Sequence, residues 1–364
     1  MAELPALTPA SRWRAFSWLC EALRLPDTGD AAPILRWPED PDGTAALITL
    51  AGHHMITPAL APALRGNVTV PPSVADYLEA VALLNGERNK LILDAVGTVA
   101  TSLARGGIDA VFLKGGANLA EALYPDPATR LLGDLDILVP PDQAATASAL
   151  LAATGFAEID APPRLVAGRL HHLPMQRHVD TGVGVEIHHQ LLPERLGTLL
   201  DSGAARRSAI KVDLNGQCVA ILAPAWRILH NVVHDQITDQ AFARRTCELR
   251  QSLDLALLWR RHGDSLDRGA LSAMLRPQSR PILDHGLALA GLFGGGPADQ
   301  DEIAQARRRI RDGVERPRTH LRRFAADLFY RLTAQPQTFL NLLMPATWER
   351  GRARLAAQLR APPV

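Results

Sequence analysis

The chain has 364 residues, enough for two or three compact units; 47% of them are hydrophobic, 21% are charged, and the formal net charge is +1. This balance gives no overall attraction to nucleic acid or to an anionic membrane surface. No run reaches the roughly 18 apolar residues of a membrane span, and the first residues lack the pattern of a signal peptide. We therefore predict a cytoplasmic protein with no membrane partner.

The N-terminal region, residues 1–107, is predicted to be helical. The segment SRWRAFSWLCEAL has apolar residues at helical spacing and begins with Ser11, a candidate cap. Residues 73–107 predict one long helix or two, which end at the double glycine Gly106 and Gly107.

From residue 108 to residue 215 the pattern changes to alternating strands and helices. The segments IDAVFLKGG, DLDILVP and VGVEIHHQLL each predict a strand, and helical segments lie between the first two. Residues 216–364 are again predicted to be helical, ending in Arg-rich helices. The predicted fold class is therefore α+β, a small mixed-sheet domain flanked by N-terminal and C-terminal helical regions.

Two aspartates stand within the predicted strand DLDILV. Since side chains alternate along a strand, Asp134 and Asp136 share one face, while Leu135 and its alternate neighbours face the core. Buried carboxylates are costly unless something pairs with them. Carboxylates about 7 Å apart on one strand face suit a shared divalent cation, which prefers oxygen ligands.

A third acid stands in a similar position on a later predicted strand. In VGVEIHHQLL, Glu186 and His188 face away from the apolar residues, so this strand and DLDILV are candidate neighbours in one sheet. Upstream, FLKGG ends a strand and opens a helix, an arrangement in which Gly115 and Gly116 allow the backbone to approach a phosphate. Three nearby basic residues are candidate nucleotide contacts: Lys114, Arg130 and His188.

The ordered set of strand, Gly-Gly, helix, Arg, strand-borne DxD and strand-borne Glu resembles the DNA polymerase beta-type nucleotidyltransferase superfamily. More narrowly, the segments YPDPATRLLGDLDILVP and VEIHHQLL resemble the bacterial uncharacterised nucleotidyltransferase family, some members of which lie near peptide natural-product genes. The resemblance covers roughly residues 40–260. It implies that Asp134, Asp136 and Glu186 are the catalytic metal ligands.

The resemblance also implies a reaction. A two-metal nucleotidyltransferase would move an NMP from an NTP to an acceptor and release pyrophosphate, with Mg²⁺ or Mn²⁺ as cofactor. The resemblance does not identify the acceptor, which could be a small molecule, a peptide or a protein. A role in peptide natural-product tailoring is one expectation.

Other interpretations remain beside this one. The same fold is also expected of a catalytically inactive nucleotide- or peptide-binding module. A helical scaffold would instead pair Asp134 and Asp136 with arginines such as Arg130. His230 and His234 are spaced i, i+4 on a helix but lack the metalloprotease glutamate, so helix packing is expected. The basic segment RRRIRDGVERPRTHLRRF predicts a solvated helix face rather than a nucleic-acid site.

Overall fold

The computed structural model describes residues 7–25, 35–158 and 171–315. Most of the predicted Arg-rich end, residues 316–364, lies outside these ranges. No helix in the described ranges is long and apolar enough to cross a membrane.

The described N-terminal region is helical, as predicted. Its helices are α1 (Pro9–Ala22), α2 (Pro41–His53), α3 (Thr57–Leu64) and α4 (Pro72–Arg105). The cap of α1 is Thr8 rather than Ser11, because Pro9 starts the helix and the Thr8 hydroxyl accepts a hydrogen bond from the Ser11 N–H. Helix α4 is a single helix, and it ends where Gly107 turns to a φ of 73°.

The middle of the chain forms a seven-stranded mixed sheet. The strands are β1 (Val111–Phe112), β2 (Leu135–Leu138), β3 (Phe156–Glu158), β4 (Gln176–His178), β5 (Gly184–His188), β6 (Ile210–Leu214) and β7 (Gln217–Ile221). Their order is β3-β4-β5-β2-β1-β7-β6. Short helices lie between them: α5 (Lys114–Ala120), α6 (Ala144–Ala152) and α7 (Ser202–Arg207).

The sheet extends beyond the predicted range 108–215. Strand β7 pairs in parallel with β1 at the centre of the sheet, and the hairpin with β6 places residue 215 in its turn. The interior strand β1 therefore pairs with a strand that follows residue 215, outside the predicted domain.

After β7, the described part of the C-terminal region is helical up to residue 315; the strand β7 itself departs from the helical prediction for residues 216–364. It contains α8 (Pro224–Val233), α9 (Ala241–Arg244), α10 (Leu249–His262), α11 (Arg268–Ala273), α12 (Arg280–Ala290) and α13 (Gln300–Glu315). The fold class α+β is thus confirmed.

Both faces of the central sheet are buried. Leu135, Ile137 and Val139 join one apolar core together with residues of α4 and α6. Leu138, on the other face, joins a second core formed with the N-terminal and C-terminal helices. The acids on this second face therefore lie at the edge of a protein interior, where an unpaired charge is costly.

Candidate functional site

Two neighbouring parallel strands bring the predicted acids together. Asp136 in β2 is the register partner of Glu186 in β5, and register partners in parallel strands project from the same face of the sheet. His188 follows two residues later on that face. Asp134 directly precedes β2, and its Cβ lies 3.5 Å from the position that a Cβ on Gly184 would take. The predicted pairing of the two acid-bearing strands is confirmed.

Asp136 is the most heavily contacted of these acids. Its Oδ1 accepts a hydrogen bond from Lys114 Nζ at 2.8 Å and lies 2.8 Å from His188 Nε2. The same His188 nitrogen lies 3.5 Å from Glu186 Oε2. One ligand atom each from Asp136, Glu186 and His188 falls within 4.8 Å of the others. Lys114 and His188, which are predicted to contact the nucleotide, thus both contact Asp136.

The electrostatics divide the acids into two kinds. Burial alone would raise the pKa of Asp136, but Lys114 and His188 hold it well below its usual range. Burial would lower the pKa of Lys114 and of His188, and their contacts with Asp136 raise both instead. A hydrogen bond from His188 lowers the pKa of Glu186. Burial, followed by the charges of Asp136 and Glu186, raises the pKa of Asp134 to about 6, so Asp134 carries the poorly compensated charge.

The donors fit a divalent metal ion. Carboxylate oxygens from Asp136 and Glu186 are ligands that Mg²⁺ and Mn²⁺ prefer, and the imidazole of His188 adds a nitrogen that suits Mn²⁺. Asp134, at the start of β2, is a further carboxylate beside this group of three. A cation here would also relieve the repulsion that raises the pKa of Asp134.

The Gly-Gly segment lies at the start of α5 against the sheet. A Cβ on Gly115 would lie 2.9 Å from Leu132 Cγ, and a Cβ on Gly116 would lie 3.0 Å from Leu135 Cδ2. Both glycines are therefore required for close packing of α5, whatever they contact in addition. Lys114 has a left-handed φ of 46°, which is uncommon for a residue with a Cβ.

Helix α4 holds the loop that leads into β2. Asn85 Nδ2 donates to the carbonyl of Ala128 at 2.6 Å, and Asn89 Nδ2 donates to the carbonyl of Arg130 at 2.7 Å. Further along the loop, Arg88 donates to the carbonyls of Leu132 and Gly133. These buried amides satisfy loop carbonyls that would otherwise lack partners, and so fix the approach to Asp134.

Arg130 borders the site but is engaged elsewhere. Its Nε and Nη2 donate to the two carboxylate oxygens of Asp254 at 2.8 and 2.6 Å, and the Tyr124 hydroxyl donates to Asp254 Oδ1 at 2.6 Å. Arg130 and Asp254 are 5% and 2% exposed. The guanidinium predicted to face a triphosphate thus forms a buried bidentate pair with helix α10.

A cleft opens between the acid-bearing face and helices α8 and α10. Lys114, Gly115, Asp134 and Asp136 line it on the sheet side. Further lining residues were not assigned to the site by sequence reasoning: Asn118 from α5, Arg227 from α8, and Arg250, Gln251 and Asp254 from α10. Asp254 alone carried a usable signal, because it is a single acid within the apolar run LDLALL.

His230 also lines the cleft. It is 3% exposed, and its Nε2 lies 3.2 Å from the Leu191 carbonyl. Burial lowers the pKa of this imidazole well below its usual value. These contacts agree with the helix-packing role that its position in the sequence indicates.

Paired acids on adjacent parallel strands of a mixed sheet, beside a cleft that Asp134 and Asp136 line together with helical residues, define a nucleotidyltransferase-like α+β protein. The chain belongs to the uncharacterised nucleotidyltransferase family, whose model matches residues 40–295.

Among solved structures, the chain is similar to an antigenic nucleotidyltransferase-like protein from Paracoccidioides brasiliensis. The sequence identity is 16% and the TM-score is 0.34, with 58% of this chain and 96% of that chain covered. A search of curated proteins finds no match.

Proposed function

We propose that the chain is a metal-dependent nucleotidyltransferase that moves an NMP from an NTP to an acceptor hydroxyl. The acceptor oxygen forms a bond to the α-phosphorus, the bond to the bridging oxygen breaks, and pyrophosphate leaves. The observation that supports this most strongly is the register of β2 and β5, which sets Asp136 beside Glu186 with Asp134 at the same edge.

In this proposal Asp134, Asp136 and Glu186 hold the divalent metal, with His188 in contact with the last two. When bound, the metal would neutralise phosphate charge and make the acceptor oxygen more nucleophilic. His188 keeps Asp136 and Glu186 ionised and oriented.

The phosphates are proposed to lie against Lys114 and the Gly115–Gly116 segment. The Lys114 side chain is 31% exposed, so its ammonium can reach a ligand in the cleft as well as Asp136. Arg130 contributes indirectly, because its pair with Asp254 anchors the loop that carries Asp134.

Two contacts of Asp136 favour a second candidate, an inactive nucleotide-binding module on the same fold. Lys114 Nζ and His188 Nε2 both lie 2.8 Å from Asp136 Oδ1, so the protein itself neutralises the central acid. A cation built into the chain can replace a metal ion electrostatically without activating an acceptor. Such a module would bind nucleotide but would release no pyrophosphate.

Transfer of label tests the proposal. The chain is incubated with each α-³²P-labelled NTP, Mg²⁺ or Mn²⁺, and an extract of cells from its source; labelled acceptor and pyrophosphate are then measured. The proposal expects both products with wild type and neither with Glu186→Gln. Nucleotide binding without either product, across all four bases and both metals, would favour the inactive module.

A further inference from the structure

Four arginine and lysine side chains reach the cleft, and three of them already pair with acids. Lys114 contacts Asp136, Arg130 contacts Asp254, and Arg227 donates to Glu121 and, at 2.8 Å, to Asn118 Oδ1. The fourth, Arg250, forms no ion pair with any residue in the described part of the chain.

Arg250 is held in place without being neutralised. Its Nη1 donates to the carbonyl of Leu131 at 3.3 Å, and its Nε is buried without a hydrogen-bond partner among the described residues. Two acids act on Arg250 electrostatically without pairing with it: Asp254 is bonded to Arg130, and Glu248 Oε1 lies 3.7 Å from His54 Nδ1. Among the described lysine and arginine residues that line the cleft, Arg250 is therefore the one without an ion-pair partner.

The position of Arg250 matches the polarity of a bound nucleotide. It lies in the first turn of the 14-residue helix α10, where the helix dipole favours an anion; the N-cap residue Glu248 makes no side-chain capping bond, and the Leu249 N–H donates to His54 Nδ1 at 3.4 Å. Across the cleft stand the acids that attract cations. Burial and the nearby Arg130 lower the pKa of Arg250, so a polyphosphate would relieve an existing electrostatic cost.

We propose that Arg250 binds the β- and γ-phosphates of the nucleoside triphosphate, in the place that the sequence assigns to Arg130. This inference rests on the proposed function, because it takes an NTP as the ligand of the cleft. The proposal also implies a ligand preference: the site binds nucleoside triphosphates more tightly than monophosphates because of the Arg250 guanidinium on α10. Arg130, paired with Asp254, is then a positioning residue.

Calorimetric binding of the four NTPs and the four corresponding NMPs, in MgCl₂, tests this inference. We expect Arg250→Gln to weaken NTP binding about 10- to 100-fold, the loss of one to two charge-assisted hydrogen bonds, and to change NMP binding less than about twofold. Arg250→Lys keeps the positive charge but loses the planar guanidinium with its paired N–H donors. Its NTP affinity should therefore lie between that of wild type and that of Arg250→Gln. Arg260→Gln, on the exposed face of the same helix, is the matched control and should match wild type.

The outcomes separate the two proposals. Wild type that binds no NTP overturns the proposed function and this inference with it. Wild type that binds NTP, with Arg250→Gln binding equally well, overturns the inference alone. Equal losses of NTP and NMP binding in both Arg250 variants also overturn it, because that pattern marks a structural role. If Arg250→Gln fails to fold, judged by circular dichroism, the NTP-to-NMP affinity ratio of Arg250→Lys decides: a reduced ratio supports the inference, and a wild-type ratio overturns it.

Discussion

At the scale of single residues, most of the charges around the cleft are buried in pairs, and Arg250 is the exception among its described lysine and arginine residues. Asp136 with Lys114 and His188, Asp254 with Arg130, and other pairs at the cleft follow this rule. A buried charge that loses its partner is costly, whereas a complete pair is close to neutral in its effect on stability. The pairs are thus better understood as fixing geometry than as the main source of stability.

The Arg130–Asp254 pair gives the clearest test of this rule. Asp254→Ala should lower the free energy of unfolding by about 3–5 kcal/mol, because it leaves the Arg130 guanidinium buried and uncompensated. The double variant Arg130→Met, Asp254→Leu should recover most of that loss. Urea unfolding measures both.

The exposed pair Arg65–Glu79 is the matched control for that experiment. Its side chains are 65% and 50% exposed, so Glu79→Ala should cost at most about 1 kcal/mol. A loss at Asp254 no larger than the loss at Glu79 would show that the buried pair is not the anchor described.

Asp235 gives a prediction on pH. It is 5% exposed beyond the end of α8, and burial raises its pKa to about 8. Its pKa in the unfolded chain is about 3.9, so between these values the folded state holds a proton that the unfolded state lacks. This group therefore makes stability fall as pH rises, by up to about 1.4 kcal/mol per pH unit between roughly pH 4 and pH 8.

Asp235→Asn removes this ionisation. The variant should gain stability over wild type as pH rises from 5 to 8, measured as the difference between their urea unfolding free energies at each pH. A difference that stays constant with pH would mean that the Asp235 carboxyl titrates normally in the folded protein.

At the scale of elements, α5 packs closely against the segment that leads into β2. Gly115→Ala would place its Cβ 2.9–3.2 Å from three carbons of the buried Leu132 side chain. We expect a loss of about 1–3 kcal/mol from overpacking. Gly133→Ala on the following loop is the control, since a Cβ there meets nothing within 4 Å and its φ is not positive. Thermal unfolding measures the stability of both variants. Equal stability of Gly115→Ala and Gly133→Ala would contradict tight packing at Gly115.

The elements that local sequence patterns determine were predictable, and the contacts between distant elements were not. Alternation along DLDILV and VGVEIHH placed Asp136 and Glu186 each on a polar strand face, and the sheet register confirms their proximity. The partner of Arg130 lies 124 residues away, beyond any local signal. Strand β7, which pairs with β1, was missed because Gln217–Ile221 lies in the region predicted to be helical.

At the scale of the whole molecule, the sheet domain depends on the helices around it. Strand β1 needs β7, and buried ions at residues 121 and 130 need Arg227 and Asp254 from the C-terminal region. A fragment of residues 108–215 should therefore fail to fold, showing little cooperative thermal unfolding by circular dichroism. A fragment with a sharp transition near that of the full chain would show that the sheet domain is independent.

The central claim is that the acids on β2 and β5 form a metal-dependent nucleotide site. The most direct measurement is calorimetric binding of the four NTPs to wild type and to Asp136→Asn, each with Mg²⁺, with Mn²⁺ and with EDTA, after circular dichroism confirms that both proteins are folded. We predict that at least one NTP binds to wild type only when metal is present, and that Asp136→Asn weakens this binding at least about tenfold, since it removes a charged metal ligand. NTP binding that is the same with EDTA and in the folded Asp136→Asn variant, or no binding to wild type at all, would contradict the claim and leave Asp136 as a structural partner of Lys114 and His188.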